Sequence, residues 1–146
     1  MKLLVIFATL VVSINCLSQQ LKESIMTKLE ETGEKCMSKV GASDDDVAEL
    51  IARKRPSRHE GMCMVHCFYE EFKIMDAEGN LSREESLKLL EPVKADDPDL
   101  YGKVIVIAKK CKEAVPKDSD LCLYATNLSE CGVKESKAIG IEESFF

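Results

Sequence analysis

Seven cysteines, at positions 16, 36, 63, 67, 111, 122 and 131, constrain this chain more than any other feature. The first belongs to the opening stretch MKLLVIFATLVVSINCLS, where one lysine precedes an apolar run from Leu3 to Val12 and small residues follow. That pattern predicts a secretory signal peptide over residues 1–18, cut after Ser18 or, as the alternative, after Cys16. Its apolar core is too short to span a bilayer, and no later stretch approaches eighteen consecutive apolar residues. The expectation is a secreted, extracellular product without membrane insertion. Either cut removes Cys16 and leaves six cysteines, an even set. In an oxidising compartment, six cysteines in a small domain predict three disulfides.

Residues 19–146 are expected to form one domain. The formal charge of the whole chain is −6, and loss of the leader leaves 19 basic against 26 acidic residues. An acidic surface argues against nucleic acid and anionic membranes as partners, because both need a basic footprint.

Hydrophobic spacing predicts an all-α fold of about six helices. Leu21, Ile25, Leu29, Cys36 and Val40 follow a helical period despite Gly33, where the pattern leaves a kink open. Ser43 with Asp46 has the capping-box form and opens a second helix from about Asp44 to Arg53. A third helix is predicted over His59–Met75. Ser82 and Glu85 form another capping box, and Pro92 is expected to stop the fourth helix. Asp97 followed by Pro98 opens a fifth helix through Tyr101, Val104, Ile105, Ala108 and Cys111. The run Val104–Ala108 also reads as a buried strand, but no second strand-like run exists to pair with it. A short sixth helix is predicted over Ser119–Leu128, with a tail from Gly132 onward.

The third helix contains GMCMVHCFYEEF, from Gly61 to Phe72. Cys63 and Cys67 are four apart, so they share a face of the helix and are poorly aimed at each other. Each is expected to bond to a different segment, which excludes their mutual pairing and leaves twelve of the fifteen possible connectivities, roughly four-fifths. His59, Cys63, His66 and Cys67 have the residue types of a zinc site. A secreted chain favours disulfides over thiolate ligands, and no metal is expected. The same helix carries two apolar stripes, Val65, Tyr69 and Phe72 on one side and Met64, Phe68 and Met75 on another, so it is expected to lie between neighbours.

Between the six cysteines lie 26, 3, 43, 10 and 8 residues. With the leader, the acidity and the helical pattern, this spacing resembles the six-cysteine insect odorant-binding proteins of the pheromone and general odorant-binding family, over essentially the whole mature chain. The resemblance implies the pairing Cys36–Cys67, Cys63–Cys122 and Cys111–Cys131, and helices around a hydrophobic cavity. It implies a carrier of small hydrophobic ligands such as odorants or pheromones, with an olfactory receptor or a second subunit as further partners. By position it assigns Leu29, Val65, Tyr69, Ile74, Met75, Leu81, Leu90, Ile105 and Ala108 to the pocket. For each of these, plain core packing is the competing reading. Tyr69, Tyr101 and Tyr124 are the hydroxyl donors available to a ligand oxygen, and the sequence leaves open which faces inward. Methionines, six in the chain, suit an adaptable pocket and also serve as core filler. The alternative function is a non-olfactory interaction or scavenging role in saliva, venom, haemolymph or reproductive fluid.

Other signals are discounted. Asp76–Leu87 resembles a calcium loop, but Leu81 stands where glycine is needed and Leu87 where a bidentate glutamate belongs. Asn80-Leu81-Ser82 and Asn127-Leu128-Ser129 are glycosylation sequons. No nucleophile elbow, zinc-protease helix or phosphate loop occurs, so no catalytic residue and no cofactor is expected. The end of the chain, IGIEESFF, is too apolar for a simple solvated terminus. Residues 132–146 are therefore read as a lid over the cavity, with Phe145 and Phe146 touching the ligand and Glu142 and Glu143 coupling closure to pH by desolvation; the competing reading is a frayed terminus whose phenylalanines pack on the outside or touch a second subunit.

Overall fold

Residues 17–141 are described by the computed structural model, and within them six helices follow one another: α1 Gln19–Val40, α2 Asp44–Ile51, α3 His59–Glu71, α4 Arg83–Asp96, α5 Pro98–Ala114 and α6 Leu121–Ala138. No strand occurs among these residues, and an isolated antiparallel bridge joins Met75 to Leu81. Most of the expected leader and the end of the chain, including Glu142, Glu143, Phe145 and Phe146, lie outside the described residues.

Local chemistry sets the helix starts. The Ser18 hydroxyl accepts from the Leu21 amide and caps α1. Ser43 and Asp46 complete both arms of the capping box at α2. Ser82, Asp97 and Asp120 accept from the first-turn amides of α4, α5 and α6. Each cap satisfies a donor that the helix leaves without a partner. Asp46 also joins α2 to α3. Its side chain is buried, and Arg58, the residue before α3, meets it at 3.1 Å. Gly61 makes this approach possible, because a Cβ there would lie 2.8 Å from Pro56 Cβ and 3.2 Å from Asp46 Oδ1.

Several boundaries differ from expectation. Pro92 does not stop α4, which runs on to Asp96. A proline removes one hydrogen bond and crowds the preceding turn. Here the ring faces solvent, the next residue, Val93, is buried, and Asp96 accepts the Ser18 amide at 2.6 Å, so the last turn is held from outside. Helix α3 ends at Glu71, and Lys73 takes a left-handed φ of 56°, turning the chain so that Ile74 and Met75 lie beyond the helix. Finally, α6 continues ten residues past Leu128, to Ala138, so the tail expected from Gly132 is helical for its first seven residues. Its inner stripe continues through half-buried Gly132 and buried Ser136, small residues without an apolar signature, and Cys131 and Glu135 tie it to α5. Helix α1 passes Gly33 without interruption, and α2 ends two residues early, at Ile51.

Three disulfides bind the helices together. Cys36–Cys67 joins α1 to α3, Cys63–Cys122 joins α3 to α6, and Cys111–Cys131 joins α5 to α6. Packing follows the same order. Helix α3 lies chiefly against α6 and then α1, α6 against α5, α5 against α4, and α2 rests on α3. The helices thus form a row α1–α3–α6–α5–α4, whose two ends are brought together where Ser18 meets Asp96.

The Asp46 carboxyl is held below its ordinary range, first by the Ser43 amide, with the Ser43 hydroxyl and Arg58 adding to the effect against the opposing pull of burial. A depressed carboxyl contributes stability above its unfolded pKa and loses it as pH falls through the folded value. Denaturation of wild type and Asp46→Asn across pH is therefore expected to show the variant weaker at neutral pH and the gap closing below about pH 4, the unfolded carboxyl range. A gap independent of pH would show that the charge plays no part.

Candidate ligand-binding site

The largest apolar cluster forms between α3 and α6. Val65 and Tyr69, one turn apart on α3, meet Tyr124, Ala125 and Leu128, which share one face of α6. Met75 joins them because α3 ends in a reversal: the Ile74 and Met75 amides both donate to the Tyr69 carbonyl, at 2.8 and 3.1 Å. The chain then turns through Asp76–Asn80, and the Ser82 amide donates back to the Ile74 carbonyl at 2.8 Å, setting Leu81 beside Met75. Leu50, Leu81 and Val115 pack on this cluster from outside. The turn that resembled a calcium loop is organised by its own side chains, since the Asp76 carboxylate accepts from the Glu78 and Asn80 amides and from the Asn80 side chain. Gly79 sits there with φ of 79° and Leu121 against it, a place without room for a Cβ.

A second cluster lies on the opposite side of α3, where Cys36, Met64 and Cys67 are enclosed by Met37, Val40, Ala42, Val47, Leu50 and Phe68. Helix α3 is thus buried on both stripes. One packs onto α1 and α2, the other onto α6.

Of the residues assigned to the pocket by position, Val65, Tyr69, Met75 and Leu81 come together in the first cluster. Leu29, Leu90 and Ile105 are half-buried on α1, α4 and α5 and are not part of it; Ile74 is half-buried beside the turn, and Ala108 is exposed. Phe145 and Phe146 lie outside the described residues. Ala125, Leu128 and Val115 were not assigned, although the pair Tyr124 and Leu128, four apart on a predicted helix, carried the signal for that face.

Leu29 and Ile105 belong to longer stripes that are neither sealed nor exposed. Leu21, Ile25 and Leu29 on α1, Leu87 and Leu90 on α4, and Tyr101, Val104 and Ile105 on α5 are all half-buried. They come from the ends of the helix row. A hollow of about 360 Å³ opens on the seam between those ends, bordered by Ser18, Gln20, Leu21, Ser24, Pro92, Ala95 and Asp96. Another, of about 450 Å³, is bordered largely by polar residues of and after α2, among them Asp45, Glu49, Lys54 and Arg58.

The three tyrosines occupy different settings. Lys94 stands over the Tyr101 ring, 5.6 Å from its centre. Tyr69 and Tyr124 lie in the α3–α6 cluster. Burial raises the pKa of both phenols, and at Tyr69 the nearby Tyr124 raises it further.

His59, Cys63 and Cys122 have ligand atoms close enough to share a metal ion. Cys63 and Cys122 are bonded to each other, so neither offers a thiolate. His59 instead bridges Asp120, 2.9 Å from its Nε2, and the Cys63 sulfur, 3.5 Å from its Nδ1. Burial pushes the Asp120 carboxyl up, but His59 and the amides of Leu123 and Cys122 outweigh it and hold the group below its ordinary range.

The sequence profile of the PBP/GOBP family matches residues 18–135. General odorant-binding protein 19d of Drosophila melanogaster is 30% identical over 112 residues, covering 77% of this chain and 74% of that protein. General odorant-binding protein 28a of the same species is 28% identical over 120 residues, 82% of this chain and 83% of that one. The solved structure of the Drosophila odorant-binding protein OBP28a superposes with a TM-score of 0.69 at 28% identity, covering 82% of this chain and 98% of that one.

Raised phenol pKa values make a direct prediction. Spectrophotometric titration of the folded chain is expected to show tyrosine ionisation extending well above pH 10, the model-compound value, and Tyr69→Phe and Tyr124→Phe are each expected to remove amplitude from that alkaline part. If either substitution removes amplitude at or below the ordinary range, that ring is not buried as described.

Proposed function

The chain belongs to the PBP/GOBP family, and from that premise we propose that it is a secreted carrier that holds small hydrophobic molecules, such as odorants or pheromones, among its helices. One observation carries the reading: the apolar stripes of α1, α4 and α5 are half-buried around a core that is closed between α3 and α6. Side chains in such a state are available to a guest, and a guest would complete their burial. At roughly 0.5 kcal/mol per heavy atom, a ligand of roughly sixteen heavy atoms gains about 8 kcal/mol, which corresponds to micromolar affinity.

Secretion is part of this reading. Leu17 is buried, and Ser18 both caps α1 and donates to Asp96. Cleavage after Cys16 keeps both residues, whereas cleavage after Ser18 takes away the cap. We therefore favour Leu17 as the first residue of the mature chain. The residues beyond Ala138 remain our candidate for a closing segment over the ligand.

Titrating the oxidised chain with the fluorescent probe N-phenylnaphthylamine is expected to give blue-shifted emission that saturates in the micromolar range, and reduction of the disulfides is expected to abolish it. Absence of saturable enhancement with correctly paired protein would overturn the carrier reading.

A further inference from the structure

We propose that Asn80 is a site of N-linked glycosylation and that Asn127, which carries the same Asn-Leu-Ser signature, is not. The inference rests on the secretion part of the carrier reading, because the transfer takes place on chains entering the secretory route. The two signatures read alike as sequence but stand in opposite backbone settings. Asn80-Leu81-Ser82 lies between α3 and α4, where Leu81 bridges to Met75, the Asp76 amide donates to the Asn80 carbonyl at 3.0 Å, and Ser82 has an extended φ of −88° and ψ of 109°. In an extended chain, residues two apart project to one side. Leu81 packs onto the apolar cluster, so Asn80 and Ser82 stand together on the outer side, and Asn80 is exposed.

Asn127-Leu128-Ser129 lies inside α6. On a helix, residues two apart do not face each other, so a transferase cannot read the Ser129 hydroxyl together with the Asn127 amide while α6 stands. Asn127 is also half-buried, and its side-chain oxygen accepts from Arg55 at 3.1 Å. The Asn80 side chain, by contrast, keeps its bonds once modified. In the transfer, Asn80 Nδ2 attacks the anomeric carbon of an oligosaccharide carried on a polyprenyl diphosphate. The nitrogen–carbon bond forms, the bond from that carbon to the diphosphate oxygen breaks, and the diphosphate leaves with the electron pair. Nδ2 gives up one of its two protons to a base of the transferase and keeps one N–H. That N–H serves the bond Nδ2 makes to Asp76 Oδ2 at 3.0 Å, while Oδ1 goes on accepting from Lys117 at 3.1 Å. The folded turn therefore accepts the sugar without losing the contacts that order it.

The test expresses the whole chain with its leader in insect cells and maps the protein collected from the medium. Proteolytic peptides treated with peptide N-glycosidase A in heavy-oxygen water gain a labelled aspartate wherever a glycan was attached. The label is expected at position 80 and not at position 127. Asn80→Gln is expected to remove the entire glycan mass, Asn127→Gln to leave it unchanged, and Ser82→Thr, which keeps both the helix cap and the signature, to retain it. The wild-type map decides the matter should Asn80→Gln fail to fold. Secreted wild type without a glycan, or with one at position 127, would overturn the proposal while leaving secretion and the carrier reading intact. Absence of the chain from the medium would overturn the secretion reading and the proposal with it, and is told apart by that absence.

Discussion

Two disulfides leave α3 one turn apart toward different neighbours, Cys63 to α6 and Cys67 to α1, and the remaining architecture depends on that pair. They fix the central helix between two layers that make little contact with one another. Cys111–Cys131 then fixes α5 against α6, so every helix of the row except α4 is bonded to a neighbour. The bonds span sequence separations of 31, 59 and 20 residues. In the loop-entropy account each restrains the unfolded chain by about 3 to 4.5 kcal/mol. A small domain with that restraint can tolerate an interior that is not fully packed.

The tolerance matters because an unsealed apolar interior forfeits dispersion contacts that a close-packed core would make. The forfeit is visible in the half-buried stripes of α1, α4 and α5. The two layers divide the labour. The cluster around Cys36, Met64 and Cys67 supports the frame, whereas the cluster around Val65, Met75 and Tyr124 lies on the side of α3 where the proposed ligand would sit. Leu50 packs against both, so the frame and the site share a wall.

Much of this was legible in the residues, for identifiable reasons. Caps at Ser43, Ser82 and Asp97 are local and marked their helices. Helical geometry alone excluded a Cys63–Cys67 bond but left the actual pairing open; the family resemblance supplied it. The length of α6 was hidden because its inner face past Leu128 is built from Gly132 and Ser136, which bury without being apolar. Pro92 misled because its effect depends on whether the last turn is anchored from elsewhere, here by Val93 and by Ser18 from a distant part of the chain. At the site, period placed Val65 and Tyr69 on one stripe of the third helix, but the assignment of Val65, Tyr69, Met75 and Leu81 to a pocket came from position within the family. That Tyr69 and Tyr124 enter one cluster depends on how α3 crosses α6, a tertiary fact that no single segment encodes.

The central claim is that a guest occupies the space beside the α3–α6 cluster while the layer behind α3 stays closed. Methionine methyl groups report on both sides: Met75 belongs to the first cluster, Met64 to the second, and Met26 is 49% exposed on α1. Methyl-labelled methionine spectra recorded with and without saturating N-phenylnaphthylamine test it most directly. The account predicts that the Met75 resonance moves while those of Met64 and Met26 stay in place. A bound probe that leaves Met75 unmoved, or that moves Met64 or Met26 instead, would contradict it.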